Sequence, residues 1–249
     1  MRVLVVTAVA AERDAVTAAF PGAPEEVALP GGAVLHRTAG YDVLAAGVGP
    51  AAAAAGTATA LTAAALAGDP YGLAVSAGIG GGVAPGAPLG ALVVAERIVA
   101  ADLGAEAPEG FLTVTELGFG RDAHRPDADL VQAVAAAAGA LPGDVLTVST
   151  VTGSAARAAE LTRRHPRALA EAMEGFGVAE AAAAHGTGVL ELRAVSNAVG
   201  PRDRAAWRIG DALAALTAAF RALPPALASA GFPAGHSAGL SAGLPEGTQ

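Results

Sequence analysis

Short apolar runs alternate with longer alanine-rich stretches along the chain. A run of four to eight apolar residues bounded by turn residues reads as a buried strand; apolar positions recurring every three or four residues read as a helix face. VLVVTAV (3–9) predicts a buried strand, followed by a helix from about Ala11 to Phe20. AVLHRT (33–38) and YDVLAAG (41–47) predict a hairpin pair around Gly40. Pro50 suits the first position of a helix, and that helix extends to about Ala67. YGLAVSAG (71–78) predicts a strand that ends in the glycine-rich GIGGG, and ALVVAERIVA (91–100) a long strand, after which 101–126 reads as irregular.

In the second half, Asp127 and Ser154 are suited to cap helices, the first running to about Ala138 and the second covering SAARAAELTRRH. DVLTVST (144–150), RALAEAM (167–173) and VLELRAVSN (189–197) predict strands, with a helix over 174–185 and a last helix from about Asp203 to Leu223. Strands and helices alternating at these lengths predict an α/β sheet, largely parallel and covered on both faces.

Composition narrows the picture. The 249 residues suit one large domain, and 53% hydrophobic with only 4% aromatic residues means a core of Ala, Val and Leu. From about Pro224 the chain is Pro, Gly, Ser and Ala with little pattern, so a domain over 1–223 and a disordered tail over 224–249 are expected. All 15 basic residues are Arg, and the net charge of −8 disfavours nonspecific nucleic-acid binding. The absence of Cys excludes disulfides and thiolate chemistry. MRVLVVTAVAAERD imitates a signal peptide, but its apolar run meets Glu12 and Arg13 at once and reads as a first core strand. Residues 43–68 carry no charge, yet Pro50 and the Gly, Thr and Ala content make them a strand, turn and buried helix rather than a membrane span. A cytoplasmic protein with no membrane association is expected.

In parallel α/β folds ligands collect at the carboxyl ends of strands. Those ends carry Glu12, Gly47-Val48-Gly49, Ser76 to Gly82, Thr152-Gly153, Met173-Glu174, and Arg193, Ser196 and Asn197. Glu12 fits either a favourable acid at a helix N-terminus or a general base. Glu174 fits either a helix-terminal charge or a carboxylate holding sugar hydroxyls. Arg193, inside a strand, needs a partner if buried, as a structural ion pair or part of a catalytic cluster. GVGPAA (47–52) formally matches a dinucleotide fingerprint, but Asp69 precedes the next strand instead of ending it, so these glycines are read as close-packing positions. The five His show no metal-ligand spacing, and there is no Walker A sequence or G-x-S-x-G elbow. No metal and no cofactor is therefore expected.

Taken together, the strand followed by A-x-E, S-A-G-I-G-G-G after a middle strand, A-M-E-G, and R-A-V-S-N resemble the nucleoside phosphorylase and methylthioadenosine nucleosidase superfamily, over roughly residues 1–222. Within it, EGFG (174–177) and SNAVGPRDRAAW resemble the futalosine hydrolase branch. The resemblance implies a three-layer α/β/α sandwich with a twisted, mixed central sheet and assembly as a homodimer or higher homo-oligomer. It implies that Glu12 activates the attacking water, Arg193 orients that water or the carboxylate, Glu174 accepts from ribose hydroxyls, Met173 packs on the sugar and Asn197 addresses the leaving purine. Ser76 would lie near the base and sugar. Ala172 stands where nucleosidases carry the first Glu of E-M-E, and is given no role.

The resemblance covers phosphorylases and hydrolases alike. No Arg occurs between Val43 and Ala95 to grip phosphate, and Glu12 would repel it, so water is the expected nucleophile. The related methylthioadenosine nucleosidases carry Asp at the position of Asn197. An Asn amide can donate to a 6-oxo group and accept from N7–H, so Asn197 implies hypoxanthine as the leaving base; the alternative is a cap on the last turn. Futalosine also bears an aryl carboxylate, for which Arg202, Arg204 and Arg208 are candidates with Trp207 as an aromatic wall. PRDRAAW equally fits a capped helix start, with Asp203 at the N-cap and Trp207 in the core. Residues 102–120, with Phe111 and Phe119, are placed at the pocket or a subunit interface. A methylthioadenosine or adenosylhomocysteine nucleosidase and a purine nucleoside phosphorylase are the neighbouring alternatives, and a nucleoside-binding protein the alternative from another class.

Overall fold

The computed structural model describes residues 2–108 and 110–232. In chain order they form β1 (Arg2–Thr7), α1 (Ala10–Thr17), β2 (Glu25–Ala28), β3 (Val34–Arg37), β4 (Tyr41–Ala45), α2 (Pro50–Leu66), β5 (Tyr71–Gly82) and β6 (Leu92–Ala100). There follow β7 (Gly104–Ala107), β8 (Gly110–Thr113), β9 (Ala123–His124), α3 (Ala128–Ala138), β10 (Leu141–Thr147), α4 (Ala155–Arg164), β11 (Ala168–Ala172), α5 (Gly175–Ala184), β12 (Gly188–Ala198) and α6 (Ile209–Ser229).

β1 shows why the layers form. Val3 and Val5 join one core with Val16 of α1, Leu130 of α3 and Leu216 and Phe220 of α6. Leu4 and Val6 point the other way, onto Ala53 and Leu61 of α2 and Val178 and Ala182 of α5. All four β1 side chains are fully buried, so the sheet is covered on both faces, as its uninterrupted apolar run requires. The structure is an α/β/α sandwich.

The main sheet runs β11-β10-β6-β12-β5-β1-β4-β3-β2. It is mixed: β1, β4, β5 and β12 run parallel, whereas β6 pairs antiparallel with β12, and β3 with β4. Strand–helix alternation suggests a more uniformly parallel sheet, because hairpin returns such as β2–β3 lie in weakly apolar sequence.

β5 does not stop at Gly78 but continues through the glycines to Gly82, where Gly81 and Gly82 pair antiparallel with Glu171 and Ala170 of β11. That pairing closes β5, β12, β6, β10 and β11 into a partial barrel. Side chains would prevent it: a Cβ on Gly80 would lie 2.9 Å from the Glu171 carbonyl, and one on Gly82 2.2 Å from the Ala87 carbonyl. The glycines are thus the corner of the sheet, not a terminator of the strand.

Two further differences concern the segments outside the sheet core. The stretch expected to be irregular contains the β7–β8 hairpin and β9, which pairs with β6. The final helix does not end at Leu223; it passes through Pro224 and Pro225 to Ser229. A proline inside a helix costs about 3 kcal/mol. The apolar face continues past it through the buried Leu223, Ala226 and Leu227, each large aliphatic contributing about 1.5–3 kcal/mol. The first residues of the supposed tail therefore belong to the folded domain. The remainder, 233–249, lies outside the described residues.

Candidate active site

The carboxyl ends of β1, β5, β11 and β12, with the loop after β10, surround a cavity of about 400 Å³. Glu12, Met173, Glu174, Asn197, Arg202 and Trp207 all line it.

Glu12 occupies the first turn of α1, where Val9 is the cap residue. Its Oε2 accepts from the Ala8 and Val9 N–H groups at 3.0 and 3.3 Å, and its Oε1 from Ile79 N–H at 2.9 Å. Glu12 is thus an acid at a helix N-terminus that also borders the cavity, and the local fold pins its carboxylate there. Gly78 is required beside it, since a Cβ there would meet Glu12 Oε1 at 2.6 Å and Arg193 Nη1 at 2.8 Å.

Glu174 is the cap residue of α5. Its Oε1 accepts from Gly49 N–H at 3.2 Å, and its Oε2 lies 3.2 Å from Arg193 Nη1. Gly49 has φ +93°, so the turn that aims its N–H at Glu174 is one that glycine adopts without strain.

Arg193 is fully buried behind the cavity. Its Nε donates to Glu191 Oε1 at 2.9 Å and its Nη2 to Ser76 Oγ at 2.8 Å. Neither Arg193 nor Ser76 is among the cavity-lining residues. Ser76, expected near the base and sugar, stands behind the lining, where its Oγ accepts from Arg193 and keeps its own O–H as a donor. Arg193 lies against the carboxylate of Glu174.

β12 carries a register shift between Val195 and Asn197. On a regular strand neighbours face opposite sides; the bulge lets both Ser196 and Asn197 line the cavity. Asn197 Oδ1 accepts from Ser196 Oγ at 2.9 Å and Nδ2 donates to the Ala198 carbonyl at 3.1 Å. These bonds fix the amide's orientation and leave one Nδ2 hydrogen and one Oδ1 lone pair for a ligand.

Arg202 and Arg204 flank Trp207, with guanidinium carbons 5.7 and 5.8 Å from its ring centre. Arg204 does not line the cavity. Trp207 is half-buried at the cavity, not in the core. Asp203 does cap, through Ala205 N–H at 3.1 Å, but only a three-residue 3₁₀ turn over Arg204–Ala206. Phe119 is 69% exposed and, like Phe111, stands away from this cavity. Among the described residues, no group of three His, Cys, Asp or Glu side chains is placed to hold a metal.

The phosphorylase superfamily pattern matches residues 2–223. A futalosine hydrolase from Streptomyces coelicolor is 70% identical over 230 residues, 92% of this chain and 97% of that protein. The chain belongs to the futalosine hydrolase family of that superfamily. A futalosine hydrolase from Acidothermus cellulolyticus is 45% identical over 225 residues, 88% of this chain and 89% of its own. The fold recurs in the futalosine hydrolase of Helicobacter pylori, with TM-score 0.75, 18% identity, and 90% and 97% of the two chains covered. It recurs equally in the 5'-methylthioadenosine/S-adenosylhomocysteine nucleosidase of Neisseria meningitidis, with TM-score 0.74, 20% identity, and 89% and 97% covered.

Two carboxylates in this futalosine hydrolase family member escape the sequence reading: Glu171, which lines the cavity, and Glu191 behind it. Glu191 stands two residues before Arg193 in VLELRAV, hence on the same strand face, and that spacing inside an apolar run was its available signal. A Cβ on Gly175 would come within 2.1 Å of its carboxylate, so only glycine fits at the start of α5. Burial pushes the Glu191 pKa up to about 7, opposed by Arg193 and reinforced by the charge of Glu174. The native state thus keeps a proton that the unfolded chain releases near the usual 4.5, and stability falls as pH rises between those values. Glu191→Gln should remove that slope. Urea unfolding at pH 5 and pH 8 should show the variant gaining about 2–3 kcal/mol relative to the native chain over that interval; parallel curves would contradict it.

Proposed function

We propose that the chain hydrolyses the N-glycosidic bond of futalosine, releasing hypoxanthine and dehypoxanthine futalosine, a step of the alternative menaquinone pathway. The observation that carries this reading is the convergence of Glu12, Glu174 and Asn197 on one cavity. The base departs as an anion that takes a proton from solvent at N7; Asn197 directs its remaining N–H to the purine O6 and its remaining lone pair to the N7–H so formed, stabilising the departing base. As the bond lengthens, positive charge develops at the ribosyl carbon, and Glu12 takes the proton of the attacking water. Glu174, fixed by Arg193 and Gly49, accepts from the ribose hydroxyls while Met173 packs on the sugar. Arg202 at the mouth, stacked near Trp207, meets the aryl carboxylate.

The same reading includes a cytoplasmic location and self-association, the latter supported by the exposed Leu103, Leu112 and Phe119.

Asn197→Asp tests the base assignment. A carboxylate facing O6 loses a donor, a mismatch of about 1–3 kcal/mol. The kcat/KM for futalosine should fall about 10²-fold relative to its 6-amino analogue. An unchanged ratio would remove Asn197 from base selection.

A further inference from the structure

Glu171 has no part in the mechanism above, yet it is a buried carboxylate in the cavity wall, only 5% exposed. Its Oε1 accepts from Thr152 N–H at 2.8 Å and its Oε2 from Thr152 Oγ1 at 2.5 Å. Burying a carboxylate is costly, and the two bonds from Thr152 offset part of that cost. The pairing changes what the wall offers a ligand. The Thr152 N–H is consumed, and in its place stand the unused lone pairs of a carboxylate.

The sheet sets Glu171 opposite Asn197. Gly81 of β5 is the register partner of Glu171 on one side and of Asn197 on the other. With strands about 4.8 Å apart, the two Cα atoms lie roughly 10 Å from each other across a residue without a side chain. That gap admits a flat heterocycle edge-on. The chemistry of the two walls is complementary to one ring edge only. A 6-oxopurine presents an N1–H donor next to its O6 acceptor and N7; a 6-aminopurine presents a bare N1 acceptor. A carboxylate accepts from the first and repels the second.

We propose that Glu171 is a specificity-determining residue that accepts a hydrogen bond from N1–H of the 6-oxopurine, while Asn197 holds O6 and N7. This rests on the reading of the cavity as a futalosine site, but its test does not depend on turnover. Titration calorimetry of the full chain with hypoxanthine, 1-methylhypoxanthine and adenine measures it. Hypoxanthine should bind about 10–100-fold tighter than the 1-methyl base, and Glu171→Gln should erase most of that difference while improving adenine relative to hypoxanthine. A full-sized methyl effect retained in Glu171→Gln, or equal weakening of all three bases, would overturn the proposal and leave Glu171 a loop anchor. So would failure of the native chain to bind hypoxanthine. If the variant does not fold, proton NMR of ¹⁵N-labelled hypoxanthine on the native chain decides: a downfield, exchange-protected N1–H supports the bond, and a freely exchanging one refutes it. Turnover of futalosine is scored separately; its absence alongside N1–H recognition would sink the hydrolase reading and not this one.

Discussion

Glu12→Gln is expected to abolish most futalosine turnover while leaving hypoxanthine bound. General base catalysis contributes roughly 10²–10⁴-fold, and kcat should fall by about that factor. The geometry makes the variant informative. Glu12 accepts three backbone N–H bonds, from Ala8, Val9 and Ile79, across both oxygens. A Gln can satisfy only one side of that arrangement, and its NH₂ faces a donor on the other. A stability loss of about 1–3 kcal/mol should accompany the kinetic loss, measurable by urea unfolding. Since Asn197 stands on a different strand, hypoxanthine affinity should change little. Normal kcat in a folded variant would remove Glu12 from the chemistry.

Arg193→Met should have the largest effect on folding. One guanidinium serves Glu174 and Glu191 and is also attracted by the charge of Glu12. Removing one partner of a buried ion pair costs about 3–5 kcal/mol, because the remaining charge is left uncompensated. A Met fills much of the volume, so little of that loss would come from packing. Adding Glu191→Gln to the same chain should restore part of the stability at pH 8, where an unpaired Glu191 must either stay charged in the interior or bind a proton. Denaturant midpoints of the single and double variants check both statements. A loss below about 1 kcal/mol, or no recovery in the double variant, would mean that Arg193 does not neutralise this cluster.

Most strands and helices could be read from periodicity, because β1 and β12 are buried on both faces and their apolar runs have sharp ends. The capping residues Asp127 and Ser154 are also where expected, each accepting from the N–H three residues on. What could not be read depends on tertiary context. The glycines of β5 look like a stop signal locally, and only the approach of β11 makes them a strand. Pro224 and Pro225 break a helix by local rules, but the buried face beyond them overrides the rule. Short edge strands such as β2 bury little and carry no strong pattern.

Within the site, the lining residues Glu12, Met173, Glu174 and Asn197 were legible because they lie at or just beyond the carboxyl ends of strands. The supporting layer was not. Ser76 and Arg193 are separated by 117 residues, and only the pairing of β5 with β12 shows that they bond to each other. Glu171 lies one residue from a position that resemblance emptied of a role, and its place in the cavity wall depends on which strand passes alongside.

The most direct measurement is the fate of the sugar when purified chain meets futalosine in phosphate buffer, followed by mass spectrometry. The account predicts rapid release of hypoxanthine and an unphosphorylated sugar product, at the same rate without phosphate. A sugar 1-phosphate, or release that requires phosphate, would contradict it and assign the attack to phosphate instead of water.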